Sequence, residues 1–151
     1  MKILFLASWV ILLVVSVLIA LASAGSLFQG YSKADENITP DYSTVQMKEQ
    51  GGEEAFRAFK ARRVTAATWA LAYALLAIAV TLVPYRRGEQ WAWWALLVAI
   101  GVSQVLSMAR AVTVMTTAGA GTAGVLLAFM LIGLMAGAPK IFGNRARTPE
   151  D

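Results

Sequence analysis

The residues of this chain with the most chemical potential lie close together between positions 53 and 63. Glu53 and Glu54 are followed by four cations that we call the basic collar: Arg57, Lys60, Arg62 and Arg63. Paired carboxylates can act as acid and base on a substrate, and clustered cations can bind a phosphate or a carboxylate. The spacing matches no catalytic motif, so we expect the collar to pair with the two glutamates and to reach lipid headgroups. An anionic ligand bound to the collar is the alternative.

Metal and nucleophile chemistry has few candidates in this sequence. The chain contains no cysteine and no histidine, which excludes the usual zinc, haem and iron–sulfur ligand sets and the nucleophile–histidine systems of hydrolases. We therefore predict no catalytic residue, no metal and no resident cofactor, and leave only a bound lipid or quinone open.

One polar side chain lies deep in an apolar segment. Gln104 falls between Trp91 and Arg110, whereas every Asp and Glu lies in a polar stretch outside the apolar segments. We expect Gln104 to form a hydrogen bond between helices, and the alternative is that it orients a bound ligand. Arg110 lies about 28 Å along a helix from Trp91 and is expected at the opposite membrane surface, where lipid headgroups bind it.

The composition places these residues in a membrane protein. Hydrophobic residues make up 58% of the chain, charged residues make up 15%, and the mean hydropathy is +0.62, whereas soluble domains contain about 45–50% apolar and ~25% charged residues. The net charge of +4 would suit nucleic acid, but the basic residues flank apolar segments and form no basic domain. Membrane lipids are the expected counter-charge, and no nucleic acid partner is predicted.

Apolar runs of about twenty residues, long enough to cross about 30 Å of hydrocarbon, predict four membrane-spanning helices. We predict an all-α integral membrane four-helix bundle with spans at about residues 3–23, 62–84, 91–113 and 118–139, forming one domain over residues 1–151. Turn-forming residues predict a long polar loop between the first two spans, with an extracytoplasmic loop and helix extension over residues 25–60 that turns helical from Gly52. A flexible cytoplasmic tail is expected over residues 140–151.

The first apolar run has two interpretations. Ala22, Ser23 and Ala24 form a small-x-small triplet of the kind that a signal peptidase cleaves, which would make residues 1–24 a secretory signal. The run is longer than the apolar core of about 7–15 residues that such signals usually have. We therefore expect a retained first helix.

A polar turn interrupts the apolar second half of the chain and predicts a hairpin at a membrane surface. Pro84 ends the second span, and the neighbouring side chains are those expected to anchor an interface: Tyr85, Arg86, Arg87, Trp91, Trp93 and Trp94. Basic residues are nearly balanced between the two sides, so the orientation depends on the signal-like N-terminus and the short basic turn. Both predict that the N-terminus and the C-terminus face the cytoplasm.

Small residues at every fourth position predict close packing between spans, because membrane helices associate through close backbone approach. These positions are Ala66, Ala70 and Ala74 in the second span and Ala95, Ala99, Ser103 and Ser107 in the third. In the fourth span Gly124 lies between Ala120 and Ala128, and Gly133 and Gly137 form a separate pair with GxxxG spacing. Such faces are more numerous than one compact bundle needs. The surplus predicts a membrane protein partner or a homo-oligomer.

The hairpin sequence Pro-Tyr-Arg-Arg-Gly-Glu-Gln-Trp-Ala-Trp-Trp, with an arginine pair and Arg110 at the end of the third span, resembles small bacterial four-helix membrane proteins of the DoxX-like kind. The resemblance covers mainly residues 62–110 and includes no catalytic motif. It implies a bacterial cytoplasmic (inner) membrane and no particular activity.

From the residues themselves, we expect a small polytopic membrane protein that acts as an accessory or structural subunit of a membrane protein complex. The first alternative is a protein that binds a lipid, a quinone or another small ligand. The second is a small transporter or channel component, which is disfavoured because few polar residues would line a path through the spans.

Overall fold

The computed structural model describes residues 2–32, 37–39, 42–113 and 120–143. Within these residues the chain forms four long helices, α1 (Lys2–Tyr31), α2 (Thr44–Val80), α3 (Gln90–Thr113) and α4 (Ala120–Phe142), and a short antiparallel pair of strands, β1 (Asn37–Thr39) and β2 (Tyr42–Ser43). All four helices are long and apolar enough to cross a membrane. The predicted helical fold with four potential membrane spans is therefore confirmed.

The prediction of a long polar loop between the first two spans is wrong. The first helix continues beyond Ala24 to Tyr31, and the second already begins at Thr44. Ser23 does not end α1. Its hydroxyl donates to the carbonyl of Ile19 at 2.7 Å and is therefore hydrogen-bonded within the helix. Of the predicted segment 25–60, the larger part is thus helical.

The start of α2 is fixed by a reciprocal cap. The backbone N–H of Ser43 donates to Oε1 of Gln46 at 2.8 Å, and the backbone N–H of Gln46 donates to the Ser43 hydroxyl at 3.3 Å. This is a capping box, in which two backbone donors that the first helical turn cannot satisfy are satisfied by side chains. Helix formation therefore starts before Gly52.

Gly52 marks a kink inside α2 instead of its beginning. Its φ of 72° and ψ of 177° are not helical, and glycine adopts this region because it has no Cβ atom. The helix predicted from Gly52 onward is thus present, and it is preceded by a further helical segment.

The second span ends in a π-helical turn, Thr81–Tyr85, that contains Pro84. Proline has no backbone N–H and cannot donate to the carbonyl four residues earlier, so the helix widens at this point. The backbone N–H of Glu89 then reaches the carbonyl of Pro84 at 3.1 Å, and Gly88 turns the chain with a φ of 82°. The hairpin predicted around Pro84 lies here.

The chain divides into two compact units. The first unit combines the residues up to Val17 with those from Leu76 onward, and the second unit is Leu18–Leu75. In the first unit α3 packs along α4, and the buried core includes Leu12, Leu96, Ile100, Met130 and Leu134. The second unit contains the C-terminal half of α1 and most of α2.

Candidate functional site

The first unit has a buried polar contact around Tyr85. The Ser8 hydroxyl donates to the carbonyl of Gly133 at 2.6 Å and lies 2.5 Å from the Tyr85 hydroxyl. Both side chains have no exposed area, and the ring of Phe5 stacks on Tyr85 with the centroids 5.8 Å apart. Tyr85 was predicted as an interfacial anchor, whereas the structure buries it because its hydroxyl finds a partner inside the unit.

Two glycines of α4 allow this contact. A Cβ atom at Gly133 would lie 3.1 Å from Leu12, and one at Gly137 would collide with the hydroxyl of Tyr85 and lie 2.5 Å from that of Ser8. Both glycines are buried. The pair predicted for helix packing therefore lies where α4 meets α1 and the π-helical turn.

The predicted small-residue row of α3 does not form the interior of the first unit. The buried row is Ala92, Leu96, Ile100 and Gln104. The predicted row lies next to it, with Ala95 and Ser103 half-buried and Ala99 and Ser107 exposed. Both serine hydroxyls bond to carbonyls of their own helix, at 2.9 Å for Ser103 and 2.8 Å for Ser107.

The remaining small positions differ in burial. Ala74 is fully buried, Ala70 is half-buried and Ala66 is exposed. Gly124 is half-buried, and a Cβ atom there would lie 3.7 Å from Met108. Gly124 thus contributes to the contact between α4 and α3.

Half of the basic collar joins α1 to α2 in the second unit. Arg63 donates to the side-chain carbonyl of Gln29 and, at 3.4 Å, to the hydroxyl of Ser26. Lys60 donates to the backbone carbonyl of Gln29 at 3.1 Å. This carbonyl belongs to the last turn of α1, which carries no basic residue of its own, so Lys60 supplies the cation that a helix C-terminus favours.

The other half of the collar is solvent- or lipid-accessible. Arg57 and Arg62 are exposed. The predicted pairing with Glu53 and Glu54 is not found, since within the described residues both glutamates are exposed and form no ion pair. Lys60 and Arg63 instead form hydrogen bonds to Gln29 and Ser26 of α1.

Gln104 is buried, with 8% of its surface exposed, but the hydrogen bond between helices that was predicted for it is not found among the described residues. Its amide forms no hydrogen bond to any residue that the structure describes. Arg110 is exposed in the last turn of α3. Gln104 and Arg110 belong to the first unit, and the collar belongs to the second.

The tryptophans of the hairpin have different surroundings. Trp91 and Trp94 are exposed, with 55% and 54% of their surface accessible. Trp91 donates to the carboxylate of Glu89 at 2.6 Å, whereas Trp93 is half-buried and donates to the carbonyl of Leu134 at 2.9 Å. Arg86 and Arg87 are exposed beside them, as expected of membrane-surface residues.

Sequence reasoning missed a cluster at the beginning of α1. The ammonium of Lys140 lies 3.7 Å from the centroid of the Phe5 ring, and the guanidinium of Arg86 lies 5.2 Å from that of Trp9. Lys2, Phe5 and Trp9 share one helix face because they are spaced by three and four residues. That spacing was visible in the sequence, but the tail had been expected to begin at Lys140, which the structure places inside α4.

An apolar groove runs between α3 and α4 on the outside of the first unit. Its volume is about 470 Å³, and it is lined by apolar residues that include Val98, Gly101, Val102, Val105, Leu127 and Met130. The groove is deeper at Gly101 because this residue has no side chain; a Cβ atom there would lie 3.8 Å from Met130.

Among the described residues no group of three or more Asp and Glu side chains comes together as a set of metal ligands. Comparison of the chain with protein-family models, curated proteins and solved structures finds no match.

Proposed function

We propose that this chain is a small accessory subunit of a membrane protein complex, and that it binds its partner through the outer face of α3. We define this face as Ala95, Val98, Ala99, Val102, Ser103 and Leu106. This proposal rests on the position of the row Ala95, Ala99 and Ser103, which lies beside the buried row of α3, with Ala99 exposed and the other two half-buried.

Small residues matter because lipid tails are as apolar as leucine. Helices gain little from hydrophobicity alone in a bilayer, so they associate where small side chains let two backbones approach closely. The interior of the first unit instead takes up Leu96 and Ile100, which are fully buried. Ala95, Ala99 and Ser103 therefore remain available to a second helix.

The groove beside the outer face favours the same interpretation. Val98 and Val102 are 58% and 52% exposed and line the groove. Valine has one strongly preferred rotamer in a helix, so these side chains lose little conformational freedom when a partner packs on them. A partner helix bound there would pack against the rigid valine side chains on one side. On its other side, its backbone could approach that of α3 closely at the small residues.

The membrane and the orientation are part of the proposal. The resemblance to DoxX-like proteins supports a bacterial cytoplasmic membrane, and the short basic turn with Arg86 and Arg87 supports a cytoplasmic N-terminus and C-terminus.

The partner is tested by extracting the chain from its native membrane in mild detergent and measuring the mass of the complex. The wild type should copurify with one membrane protein at fixed stoichiometry. Ala99→Leu should release that partner, because the larger side chain prevents close approach. Ala79→Leu, at another exposed position of the first unit, is the matched control and should retain it. A lone, empty chain in the wild-type sample would contradict the proposal, and a complex of identical chains would assign the face to self-association.

A second candidate function is favoured by Gln104. Its amide forms no hydrogen bond to a described residue and 8% of its surface is exposed, so a quinone or lipid that carries a carbonyl or hydroxyl group would supply a partner. Under this alternative the extracted chain retains a small molecule, and Gln104→Leu loses it. Copurification of a protein partner without any retained molecule would exclude it.

A further inference from the structure

Cations from two other segments contact aromatic rings near the beginning of α1, which carries a third cation, Lys2. Lys2 belongs to α1, Arg86 follows the π-helical turn, and Lys140 belongs to the last turn of α4. We call these three cations, with Phe5 and Trp9, the end cluster. Lys140 lies over Phe5 and Arg86 lies over Trp9, while Lys2 shares the helix face of both rings.

The end cluster is built on a rigid base. Phe5 is only 5% exposed and stacks on Tyr85, which is held by its contact with Ser8. The ring under Lys140 therefore has one position. An ammonium or guanidinium that contacts a ring face keeps further N–H donors for another partner, so both cations can bind an anion without leaving their rings.

The end cluster lacks an anion of its own in the described part of the chain. Lys2, Arg86 and Lys140 are exposed, and none of the three forms an ion pair there. Glu89 is the nearest acidic residue in sequence to Arg86, and its carboxylate accepts the hydrogen bond from Trp91. Three like charges held near one another favour a bound anion.

Neighbouring residues indicate what carries that anion. Phe142 lies two residues after Lys140, and the centroid of its ring is 5.4 Å from that of Trp93 and 6.5 Å from that of the exposed Trp94. Tryptophan at the ends of apolar helices is typical of the membrane–water interface. Ile3, Leu4 and Leu6, which are 82%, 56% and 54% exposed, surround the base of the cluster with surface suited to acyl chains.

We propose that the end cluster binds the phosphate of an anionic phospholipid, with Lys2, Arg86 and Lys140 as the contacting cations and the acyl chains along the exposed side of α1. The site does not depend on a partner of α3 and is independent of the proposed function. It differs from general attraction of basic residues to a membrane because the aromatic rings fix where the cations lie.

The test is native mass spectrometry of the full chain released from vesicles of phosphatidylcholine mixed with phosphatidylglycerol. Wild-type protein should retain phosphatidylglycerol selectively. Arg86→Gln and Lys140→Gln should each lower retention by about tenfold or more, because each removes a charge-assisted hydrogen bond to the phosphate. Arg86→Lys keeps the charge and should retain the lipid.

Arg87→Gln is the matched control, because Arg87 is exposed in the same turn and its loss changes the net charge equally. It should lower retention by no more than about fivefold, the general effect of removing one cation from a membrane surface. Equal loss in Arg87→Gln and Arg86→Gln would overturn the proposal in favour of diffuse attraction, as would equal retention of phosphatidylcholine. If inorganic phosphate at equal concentration displaces the lipid, the site binds free phosphate and the assignment to a phospholipid is wrong. Circular dichroism of each variant checks that the helices are intact.

Discussion

Ser8 has one hydroxyl proton, and this determines the direction of the hydrogen bonds in the first unit. Because the Gly133 carbonyl can only accept, Ser8 donates to it, and the Tyr85 hydroxyl must donate to Ser8. The two side chains are therefore not equivalent. Removing Ser8 leaves the buried Tyr85 hydroxyl without its acceptor, whereas removing the Tyr85 hydroxyl leaves Ser8 bonded to Gly133.

This asymmetry predicts the outcome of a double-mutant cycle. Ser8→Ala should lower the free energy of unfolding by about 1–3 kcal/mol, the cost of an unsatisfied buried group, and Tyr85→Phe should lower it by less. The double variant should lose less than the sum of the two, since Phe removes the group that Ser8→Ala leaves unsatisfied. Unfolding in mixed detergent micelles gives the three values. Additive losses would contradict the hydrogen bond.

Gly137 offers a second test at the scale of one residue. A methyl group there would meet the hydroxyls of Tyr85 and Ser8, so Gly137→Ala should lower the free energy of unfolding by about 1–3 kcal/mol through overpacking. Gly121→Ala is the control in the same helix, because a Cβ atom at Gly121 has nothing within 4 Å. The same unfolding measurement compares the two. Equal stabilities would mean that α4 does not approach Tyr85 this closely.

At the scale of whole elements, the capping box explains why α2 begins at Thr44. Ser43 and Gln46 have the spacing of this motif, and its recognition in the sequence would have placed the helix start correctly. The extension of α1 to Tyr31 was harder to predict, because Gly25, Ser26 and Gly30 are residues that also favour loops. Val64 of α2 packs where a side chain at Gly30 would lie, so tertiary contact overrides local preference here.

The spans α3 and α4 could be predicted because Pro84 and Gly88 limit one end of the apolar run and the runs have the length of a bilayer. Which row of α3 is buried could not be predicted from the sequence. Ala95 and Leu96 each start a row at four-residue spacing, and each row has two apolar residues followed by a polar one, Ser103 or Gln104. A helix that faces lipid on one side and protein on the other has no polar side to reveal which row is inside.

The cap of α2 gives a prediction with a local readout. Ser43→Ala removes one side chain of the capping box and should cost about 1 kcal/mol. The effect should appear as faster hydrogen exchange at the backbone N–H of Gln46 and its neighbours in the first turn of α2. Ser107→Ala, a serine inside α3 that bonds only to its own helix, should leave that exchange unchanged. Unaltered exchange in Ser43→Ala would show that the helix start has another cause.

At the scale of the first unit, contacts fix which chain segments share a membrane surface. Lys140 lies over Phe5, and Arg86 lies over Trp9, so the start of α1, the turn after the second span and the end of α4 lie at one end of the unit. Arg110 lies 20 residues beyond the start of α3 at Gln90, which is about 30 Å along the helix axis. It therefore belongs to the opposite end.

Because the sequence contains no cysteine, single cysteines can report this arrangement without background. Lys2→Cys, Arg87→Cys and Gly143→Cys should all react with a membrane-impermeant maleimide from the same side, and Arg110→Cys should react only from the other. With the proposed orientation, the first three are protected in intact cells and labelled after the membrane is opened. Labelling of all three from outside would show that the orientation is opposite to the one proposed, and it would remain consistent with the fold. Labelling of Lys2→Cys and Gly143→Cys from different sides would contradict the fold itself, since Phe5 and Lys140 could then not be in contact.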